Sequence, residues 1–437
     1  MSAFPYEGPA LAERLARIEG LHPKTIELGL DRVREVADRM RLQLPGTKIV
    51  VAGTNGKGST CAMLESILLA SGYRVGCYTS PHLVRFNERA RLDGVPASDE
   101  ALVECLDAVE AARGDVALTW FEYTTLAILK LFERAAPDAL VLEIGLGGRL
   151  DAVNLVDADC AIVCCIDIDH AEFLGDTREK IGWEKAHVYR TGRPAICTDP
   201  MPPQSLVDHA AEIGADLWRF GRDFNYAGDR QQWSYGGRSQ RRNSLAYPAL
   251  RGANQLLNAS GALAALESLR DRLPVTAGAV RQGFATVELP GRFQVLAGRP
   301  SVVLDVAHNP HAVAHLAANL EGMGFFPYTY AVFGMLGDKD VAGAVAHLRG
   351  RVDHWLCVDL PGPRGMKATE LARILRETVG IVPGQGEDAE RTISCHGSPA
   401  EALAAAKGRA DENDRIVVFG SFLTVADVLA SRERPAS

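Results

Sequence analysis

Short runs of apolar residues alternate with helical patterns along most of the chain. In the first half the predicted strands are 50–52, 75–79, 139–144 and 161–166. These runs are apolar on both faces, as in parallel sheets that are covered by helices. Residues 217–250 break the pattern, because single aromatic residues there are separated by glycine and polar residues, which predicts short antiparallel strands. From residue 302 the alternation resumes and predicts a second, smaller doubly wound sheet.

The helical patterns between these strands complete the prediction of an α/β fold with two domains. The predicted helices are 10–18, 31–40, 61–70, 99–111, 121–135, 253–269, 311–321, 341–348, 369–379, 399–406 and 424–429. Pro290-Gly291-Arg292 is predicted to be a linker. We therefore expect an N-terminal P-loop parallel-sheet domain at 1–295, with a small antiparallel addition, and a Rossmann-like domain at 296–437.

A glycine-rich stretch, Gly53 to Thr60, follows the first apolar strand and opens a helix. Such a turn directs backbone N–H groups at an anion, and Lys57 adds a full positive charge. The match to the P-loop template is incomplete, because its first glycine would fall on Val51 and its hydroxyl arrives one residue late, at Ser59. The stretch predicts binding of ATP or GTP; the alternative is a tight turn with a surface lysine.

Side chains that can bind phosphate or a metal ion follow several of the predicted parallel strands. Lys57, Ser80, Glu143 and His170 all lie just beyond strand carboxyl ends. Because these ends meet at one edge of a parallel sheet, we expect the four residues to lie near one another. The oxygens of Glu143 and Ser80 suit Mg²⁺, while His170 is a softer ligand. The alternatives are a surface acid and a capped or surface histidine.

A histidine-rich stretch in the second half, His308-Asn309-Pro310-His311 with His315, resembles a three-histidine metal site. The proline argues against one ligand-bearing helix across the stretch, and the spacing of known zinc helices is absent. We therefore interpret Asp305 and His308, at a strand end, as nucleotide or interdomain contacts.

Composition narrows the class of protein. The chain has 437 residues and a net charge of −8 without a basic block, so nucleic acid is not an expected partner. No apolar run reaches membrane-spanning length and no signal pattern opens the chain, so we expect a cytoplasmic protein. Nine cysteines without a Cys-x-x-Cys pair indicate reduced, buried thiols.

Motifs that are missing narrow the chemistry further. Neither a Gly-x-Ser-x-Gly elbow nor a His-Glu-x-x-His helix occurs, which argues against serine hydrolases and zinc proteases. A nucleotide, Mg²⁺ and two domains fit phosphoryl transfer or ATP-driven ligation.

Seven motifs together resemble the folate ligases, relatives of the Mur ligases of cell-wall synthesis. They are 53–60, 79–83, 121–123, 142–154, 184–186, 304–311 and 420–422, in the order of that family. The likeness is greatest to the bifunctional dihydrofolate synthase/folylpolyglutamate synthases. The match covers nearly the whole chain.

The resemblance implies a nucleotide site and a metal site. The residues implied for ATP are Thr54, Asn55, Gly56, Lys57, Gly58, Ser59, Asn258, Arg292 and Asp305. Those implied for two Mg²⁺ ions are Ser80, Glu143, His170 and a carbamylated Lys185. The helical pattern alone favours a surface lysine at 185. His187 departs from the family, which usually has glycine after Glu-Lys-Ala. The resemblance therefore does not determine the backbone conformation next to Lys185.

The resemblance also implies a dihydropteroate or folate site. Its residues are Leu28, Gly29, Leu30, Asp31, Arg32, Phe121, Glu122, Tyr123, Leu150, Asp151 and Ala152. The residue pattern alone would make 24–32 a plain connector. His308, Asn309 and Ser421 are expected on the nucleotide or glutamate side.

The implied reaction is a ligation. A carboxylate of 7,8-dihydropteroate, or of a folate glutamate tail, attacks the γ-phosphate of ATP, and L-glutamate then displaces phosphate from the acyl phosphate. We expect a monomer that works on small molecules only. The alternatives are a tail-extending folylpolyglutamate synthase, a Mur-type ligase and a nucleotide-binding switch. Mur ligases carry a domain before the P-loop where only about 50 residues stand here, and a switch leaves Glu143, His170 and Lys185 unexplained.

Overall fold

The structure is a computed structural model, which describes residues 6–24, 26–228, 231–252, 254–380 and 392–433. The chain divides into two compact units. Unit 1 comprises Met1–Ala249 and Gln255–Glu288, and unit 2 comprises Leu250–Asn254 and Leu289–Ser437. The contacts thus begin unit 2 at Leu289, where the sequence predicted a boundary after 295, and add to it the short segment before Gln255.

Unit 1 is built on an eight-stranded sheet. Its strands are β1 (Thr47–Ala52), β2 (Val75–Tyr78), β3 (Ala90–Leu92), β4 (Val95–Pro96), β5 (Ala139–Glu143), β6 (Cys160–Val163), β7 (Pro194–Cys197) and β8 (Asp216–Arg219). The strand order is β4-β3-β2-β5-β1-β6-β7-β8. All pairs from β2 to β8 in this order are parallel, and β3 and β4 add antiparallel strands at one edge. The central strand β1 is therefore flanked by β5 and β6.

Ten helices in the described part of the chain accompany this sheet, six of them as the apolar patterns predict. They are α1 (Pro9–Glu19), α2 (Asp31–Arg39), α3 (Lys57–Ala70), α4 (Asp99–Arg113), α5 (Trp120–Ala135), α6 (Ala171–Leu174), α7 (Arg178–Ala186), α8 (Gln204–Glu212), α9 (Gln255–Ser268) and α10 (Ala277–Thr286). Ser98 caps α4 by accepting from the Ala101 N–H, as predicted. Helix α3 begins at Lys57 instead of 61, because Gly56, with φ +92°, turns the chain directly into the helix.

The predicted antiparallel addition is confirmed in part. Strands β9 (Asn225–Gly228), β10 (Gln232–Gly236) and β11 (Arg241–Ala246) form a separate antiparallel sheet. The prediction is wrong for β8, which pairs parallel with β7 in the large sheet. Since α8 connects β7 to β8, the two strands form a β–α–β crossover, and this connection makes them parallel.

Unit 2 contains the second doubly wound sheet. Its strands are β12 (Gln294–Leu296), β13 (Ser301–Leu304), β14 (Thr329–Phe333), β15 (His354–Val358), β16 (Thr392–His396) and β17 (Arg415–Phe419), in the order β12-β13-β17-β14-β15-β16. Its helices are α11 (Pro310–Glu321), α12 (Val341–Ala346), α13 (Ala368–Val379), α14 (Pro399–Arg409) and α15 (Phe422–Glu433). Only β12 is antiparallel to its neighbour. Among the described residues, no helix has the length and apolar character needed to cross a bilayer.

Helix α10 packs closely on α3, the helix that follows the glycine-rich turn. A Cβ added to Gly283 would lie 2.6 Å from the Ile67 Cα and 2.8 Å from its backbone nitrogen. Ser66 Oγ donates to the Gly283 carbonyl at 2.8 Å. Because Gly283 has no side chain, α10 can pack directly against the backbone of α3.

We predict that Gly283→Ala lowers the free energy of unfolding of the protein by about 1–3 kcal/mol, because the new methyl meets backbone that cannot rotate away. Gly278→Ala on the same helix is the matched control. Its Cβ would meet only Thr276 Oγ1, at 3.7 Å, so its effect should be neutral or stabilising by about 0.5 kcal/mol. Urea unfolding followed by far-UV circular dichroism compares the two, and equal stabilities would refute the packing argument.

Candidate active site

The carboxyl ends of β2 and β5 bring two predicted site residues together. Glu143 is the last residue of β5, and Ser80 follows β2 after one intervening residue. The backbone N–H of Ser80 donates to Glu143 Oε2 at 3.1 Å, and Glu143 is 4% exposed. A buried carboxylate with a hydroxyl-bearing neighbour forms a small group of oxygen ligands, which is the ligand type that Mg²⁺ prefers.

The glycine-rich turn lies beside them, at the end of β1. Gly53 has φ +149°, and a Cβ there would lie 2.7 Å from the Cβ of Cys164. The turn is held to the strand end of β6, because the N–H of Thr54 donates to the Cys165 carbonyl at 2.7 Å. Thr54 Oγ1 also donates to the Asp167 carbonyl at 2.9 Å. The turn and the first N–H groups of α3 thus form a fixed anion cradle.

Two lysines converge on one backbone oxygen of this turn. Lys57 Nζ donates to the Gly53 carbonyl at 3.0 Å, and Lys185 Nζ donates to the same oxygen at 3.1 Å. Lys185 is 4% exposed. Burial, together with the nearby Lys57 ammonium, lowers the pKa of Lys185 to about 7. The structure therefore places Lys185 at the cradle and gives it a neutral amine near neutral pH.

A close approach of backbone positions Lys185. A Cβ on Gly148 would lie 2.5 Å from the Glu184 carbonyl and 2.9 Å from the Lys185 Cα. The N–H of Arg149 donates to that carbonyl at 3.0 Å, and its guanidinium pairs with the Glu184 carboxylate at 2.9 Å. His187, where the family has glycine, has φ −69°. No glycine is needed at this position, so the backbone next to Lys185 is regular.

Helix α9 contributes two amides to the turn. A Cβ on Gly56 would lie 2.6 Å from Asn258 Oδ1, so this side chain stands directly against the turn. Asn258 Nδ2 donates to Gln255 Oε1 at 3.2 Å, and Gln255 Nε2 donates to Ser59 Oγ at 3.4 Å. The sequence analysis did not single out Gln255; its position one helical turn before Asn258 was the available signal. The remaining predicted nucleotide residues of this turn are Asn55, which bridges to Cys165, and Gly58, in the first turn of α3.

His170 is more exposed to solvent than Glu143 and Lys185, two of the other predicted metal ligands. It is the N-cap of α6 with φ +51°, its side chain is 31% exposed, and its Nε2 lies 3.9 Å from Asp169 Oδ2. Within the described residues, no three His, Cys, Asp or Glu side chains are grouped so as to hold a metal ion. A metal at Glu143 would therefore need further oxygens from Ser80, from a bound phosphate or from water.

Contacts join the three segments that were predicted to bind a pterin. Arg32 Nη2 pairs with Glu122 Oε1 at 2.9 Å. The N–H of Gly29 donates to the Leu150 carbonyl at 3.3 Å. The ring of Phe121 fills the space beside Gly145, where a Cβ would lie 2.4 Å from its Cζ. Residues that are far apart in sequence are therefore neighbours here, as the family resemblance implied.

Tyr123, by contrast, belongs to the core. It is 1% exposed, and its hydroxyl lies within hydrogen-bond distance of two acceptors, the Leu106 carbonyl at 3.0 Å and Glu110 Oε2 at 2.9 Å. Its side chain can therefore support a binding surface without lining it.

Asp151 shapes the turn after β5. Its carboxylate accepts from the Leu146 N–H and the Val153 N–H at 2.8 and 2.9 Å. Burial raises its pKa to about 6. The other residues of the predicted pterin site divide into Leu30 and Ala152, which are buried, Leu28, which is partly buried, and Asp31, which is exposed.

In unit 2 the predicted residues gather at the carboxyl ends of β13 and β17. Asp305 accepts from the Phe293 N–H at 2.9 Å and the Ala307 N–H at 2.8 Å, and burial raises its pKa. The Arg292 guanidinium lies 4.9 Å from the centre of the Phe422 ring. His308 lies 5.9 Å from the same ring. Arg292 and His308 thus share Phe422 as a neighbour.

Asn309 and Ser421 have local structural partners. Asn309 Oδ1 accepts from the Ala312 N–H at 2.9 Å and so caps α11. Ser421 is 3% exposed, and its Oγ accepts from the Leu423 N–H at 3.2 Å. Both residues therefore fix the loops that carry the neighbouring side chains.

Comparisons with known proteins agree with this arrangement. Residues 51–266 match the Mur ligase middle domain, and residues 291–422 match the glutamate ligase domain of Mur ligases. The chain is 44% identical to the dihydrofolate synthase/folylpolyglutamate synthase of Escherichia coli K12, over 97% of this chain and 96% of the relative. The chain belongs to the dihydrofolate synthase/folylpolyglutamate synthase family.

Solved structures of the family have the same fold. E. coli FolC in complex with DHPP and ADP superposes with a TM-score of 0.90 at 44% identity, with 97% of each chain covered. A bifunctional folylpolyglutamate synthase/dihydrofolate synthase with Mn, AMPPNP and L-glutamate bound has a TM-score of 0.86 at 43% identity, covering 97% of this chain and 98% of that one. Membership of the family thus confirms the predicted fold and the predicted resemblance.

The lowered pKa of Lys185 predicts a pH-dependent stability. Between pH 7 and the ordinary lysine pKa of 10.5, the unfolded chain binds a proton that the folded chain does not. The free energy of unfolding should therefore rise with pH across this window, while below about pH 7 the full cost of burying the ammonium is present. Lys185→Met should remove this slope and be more stable than the wild type at pH 6 by a few kcal/mol.

Urea unfolding of both proteins from pH 6 to pH 10, in buffers freed of bicarbonate and divalent metal, measures this effect. Lys180→Met is the matched control, because Lys180 is largely exposed on the same helix and pairs with Asp176. Parallel curves for the wild type and Lys185→Met would show that Lys185 has an ordinary pKa.

Proposed function

We propose that this chain is an ATP-dependent ligase that joins L-glutamate to 7,8-dihydropteroate and to the glutamate tail of tetrahydrofolates. The observation that carries the proposal is the pair Lys57 and Lys185 on the Gly53 carbonyl, beside the buried Glu143. Lys57 supplies a positive charge at an anion cradle, and Lys185 supplies a buried amine beside it. We also propose a cytoplasmic monomer in which 1–295 is the ATP-binding domain and 296–437 the glutamate-ligase domain.

In this proposal the cradle binds the phosphates of ATP. The N–H groups of 54–59 surround them, and the Lys57 ammonium turns from the Gly53 carbonyl to the terminal phosphate. Asn258 orients the turn from α9, as its contact with Gly56 suggests. Arg292 and Asp305 are further nucleotide-binding residues in this proposal; for Asp305, the two N–H groups that hold its carboxylate support a fixed orientation.

The residues at the sheet edge fit Mg²⁺, with Ser80 and Glu143 as one group of ligands and Glu143, His170 and Lys185 as a second. Bound Mg²⁺ would neutralise charge that develops on the phosphate oxygens. Lys185 contributes as a carbamate. Its neutral amine attacks CO₂, a C–N bond forms and one proton leaves, which converts the neutral amine into an anionic carbamate. The pKa of about 7 supports this step because the neutral amine is then abundant near neutral pH.

The chain's own groups then position two successive attacks. The substrate carboxylate displaces ADP from the γ-phosphate and forms an acyl phosphate, and the glutamate amine displaces phosphate from it. Lys57 stabilises the negative charge of both steps, and the closed cradle keeps the reacting oxygens in place. We propose that Phe121, Glu122 and Arg32 line the pterin site with 28–31 and 150–152, and that His308, Asn309 and Ser421 form the nucleotide or glutamate side.

Gly56→Ala tests the cradle. Gly56 has φ +92°, and its new methyl would lie 2.6 Å from Asn258 Oδ1. We expect the affinity for the ATP analogue AMPPNP with Mg²⁺, measured by calorimetry, to fall by about tenfold or more, since one displaced charge-assisted hydrogen bond costs about 1.5–3 kcal/mol. Gly72→Ala is the matched control, with φ +85° and no atom within 4 Å of the new methyl. It should share the backbone strain and keep the affinity; equal losses would refute the cradle.

The activity itself is tested by ADP release with ATP, Mg²⁺ and L-glutamate, with either dihydropteroate or tetrahydrofolate. We expect glutamate-dependent release with both pterins. Lys57→Ala and Glu143→Gln should each lower kcat/KM by about a hundredfold or more, because each removes charge stabilisation at the reacting phosphate. The far-UV spectra of both variants should be unchanged.

The outcomes separate the alternatives. Release with tetrahydrofolate only would leave a tail-extending enzyme and would contradict the pterin assignments at 28–32 and 121–123. If neither pterin supports ADP release, the proposal is contradicted. A Mur-type ligase or a nucleotide switch would then be the remaining alternatives. Wild-type rates from Lys57→Ala or Glu143→Gln would contradict the assignment of these residues to the active site. They would not contradict the proposed ligase activity.

A further inference from the structure

Two imidazoles on α11 of unit 2 face each other one helical turn apart. His311 Nε2 and His315 Nε2 are 3.1 Å apart, and both side chains are partly buried. The sequence argument that Pro310 prevents one helix from carrying the whole stretch agrees with the structure, because His308 lies before α11 while His311 and His315 lie on it. Pro310 is the first residue of α11, where a proline is tolerated because its missing N–H would have no partner inside the helix. His311 and His315 therefore share one helix face.

A side-chain amide from another segment reaches the same point. Asn254 Nδ2 lies 2.9 Å from His315 Nε2. Asn254 belongs to the segment 250–254, which is part of unit 2 like α11. Because nitrogen and oxygen of an amide are interchangeable by rotation, the oxygen of Asn254 can occupy this position equally well. Three potential ligands thus converge around His315 Nε2.

Two nitrogen atoms from different side chains lie close to the same imidazole nitrogen. An imidazole nitrogen has either one hydrogen or one lone pair, so it makes one full hydrogen bond. His315 Nε2 has close nitrogen neighbours on two sides, at 2.9 and 3.1 Å. A cation that accepts the lone pairs of both imidazoles and of the amide oxygen would be bound by all three groups at once.

We propose that His311, His315 and Asn254 form a binding site for a divalent transition-metal ion such as Zn²⁺ or Ni²⁺. With metal–nitrogen bonds of about 2.0–2.1 Å, two ligands lie about 2.9 Å apart at a right angle and about 3.3 Å apart at a tetrahedral angle. The observed Nε2–Nε2 distance of 3.1 Å lies between these values. Neutral imidazoles favour borderline ions over Mg²⁺, so the site differs in chemistry from the oxygen ligands near Glu143.

A second histidine pair in unit 1 provides a comparison. The rings of His187 and His209 are stacked, with centroids 4.0 Å apart and an interplanar angle of 20°. Nitrogen lone pairs lie in the ring plane, so stacked rings do not aim them at a common point. His187 Nδ1 is also within hydrogen-bond distance of the Trp183 carbonyl, at 2.7 Å. The rings of this pair are close, but their nitrogen lone pairs do not converge on one point. The pair therefore serves as a control for metal binding.

The first test is calorimetric titration of the untagged, full-length protein with NiCl₂ and with ZnCl₂ in excess MgCl₂, which occupies oxygen sites. We expect one ion per chain to bind to the wild type. Because loss of a group that merely supports a metal ligand costs about 10–100-fold in affinity, His311→Gln and His315→Gln should each weaken binding by at least about tenfold. His209→Gln should bind like the wild type.

A gain of affinity provides the second test. Asn254→Asp replaces an amide oxygen with a carboxylate, which is a stronger ligand, so it should bind Ni²⁺ and Zn²⁺ more tightly than the wild type. Titration with CoCl₂ adds a visible absorption band that reports direct coordination by the protein. Thermal unfolding of every variant without metal checks that the fold is retained.

The proposal is overturned if the wild type binds Ni²⁺ and Zn²⁺ no more tightly than His315→Gln, or if His209→Gln removes the binding. Unchanged affinity in Asn254→Asp would exclude Asn254 as a ligand and leave the histidine pair alone. None of these measurements uses nucleotide, pterin or glutamate, so their results are independent of the proposed ligase activity.

Discussion

The carbonyl oxygen of Gly53 is the point on which the candidate active site depends. It ends the central strand β1, and the Nζ atoms of Lys57 and Lys185 donate to it at 3.0 and 3.1 Å. A carbonyl carries only a partial negative charge, so it cannot compensate two ammonium groups away from water. Burial, together with the neighbouring Lys57 ammonium, lowers the pKa of Lys185. A ligand that brings phosphate to the cradle would supply what the protein alone lacks.

Two glycines make this convergence of lysines possible. At Gly53 a Cβ would lie 2.7 Å from the Cβ of Cys164, and at Gly148 it would lie 2.5 Å from the Glu184 carbonyl. The first contact brings β6 against the cradle, and the second brings the end of α7, with Lys185, against the loop after β5. Side chains at these positions would separate the elements and move the amine away from Gly53. The chemistry of the site therefore depends on missing side chains as much as on present ones.

The sequence predicted the elements and residues whose signal is local. Glu143 and Ser80 could be placed together because parallel strands end at one edge of a sheet. Lys185 could not, since it lies in the last turn of a helix and no pattern there distinguishes a buried lysine from a surface one; only the family resemblance singled it out. Strand β16 was missed because none of its residues is fully buried and they form no apolar run. Local sequence patterns do not show which residues are buried by segments that are distant in the sequence.

Pro310 illustrates how the position of a residue determines its meaning. In a helix interior a proline would bend or break the helix, whereas at the first position it only begins one. Pro310 therefore leaves His308 outside α11, while α11 carries both His311 and His315. The signal that distinguishes the two cases was present in the sequence. Asn309 precedes the proline, and an Asn-Pro pair of this kind is typical of a cap followed by a first helical residue. Once the cap is recognised, the four-residue spacing of the histidines places both imidazoles on one face. Local capping chemistry thus determines whether two ligands can meet at all.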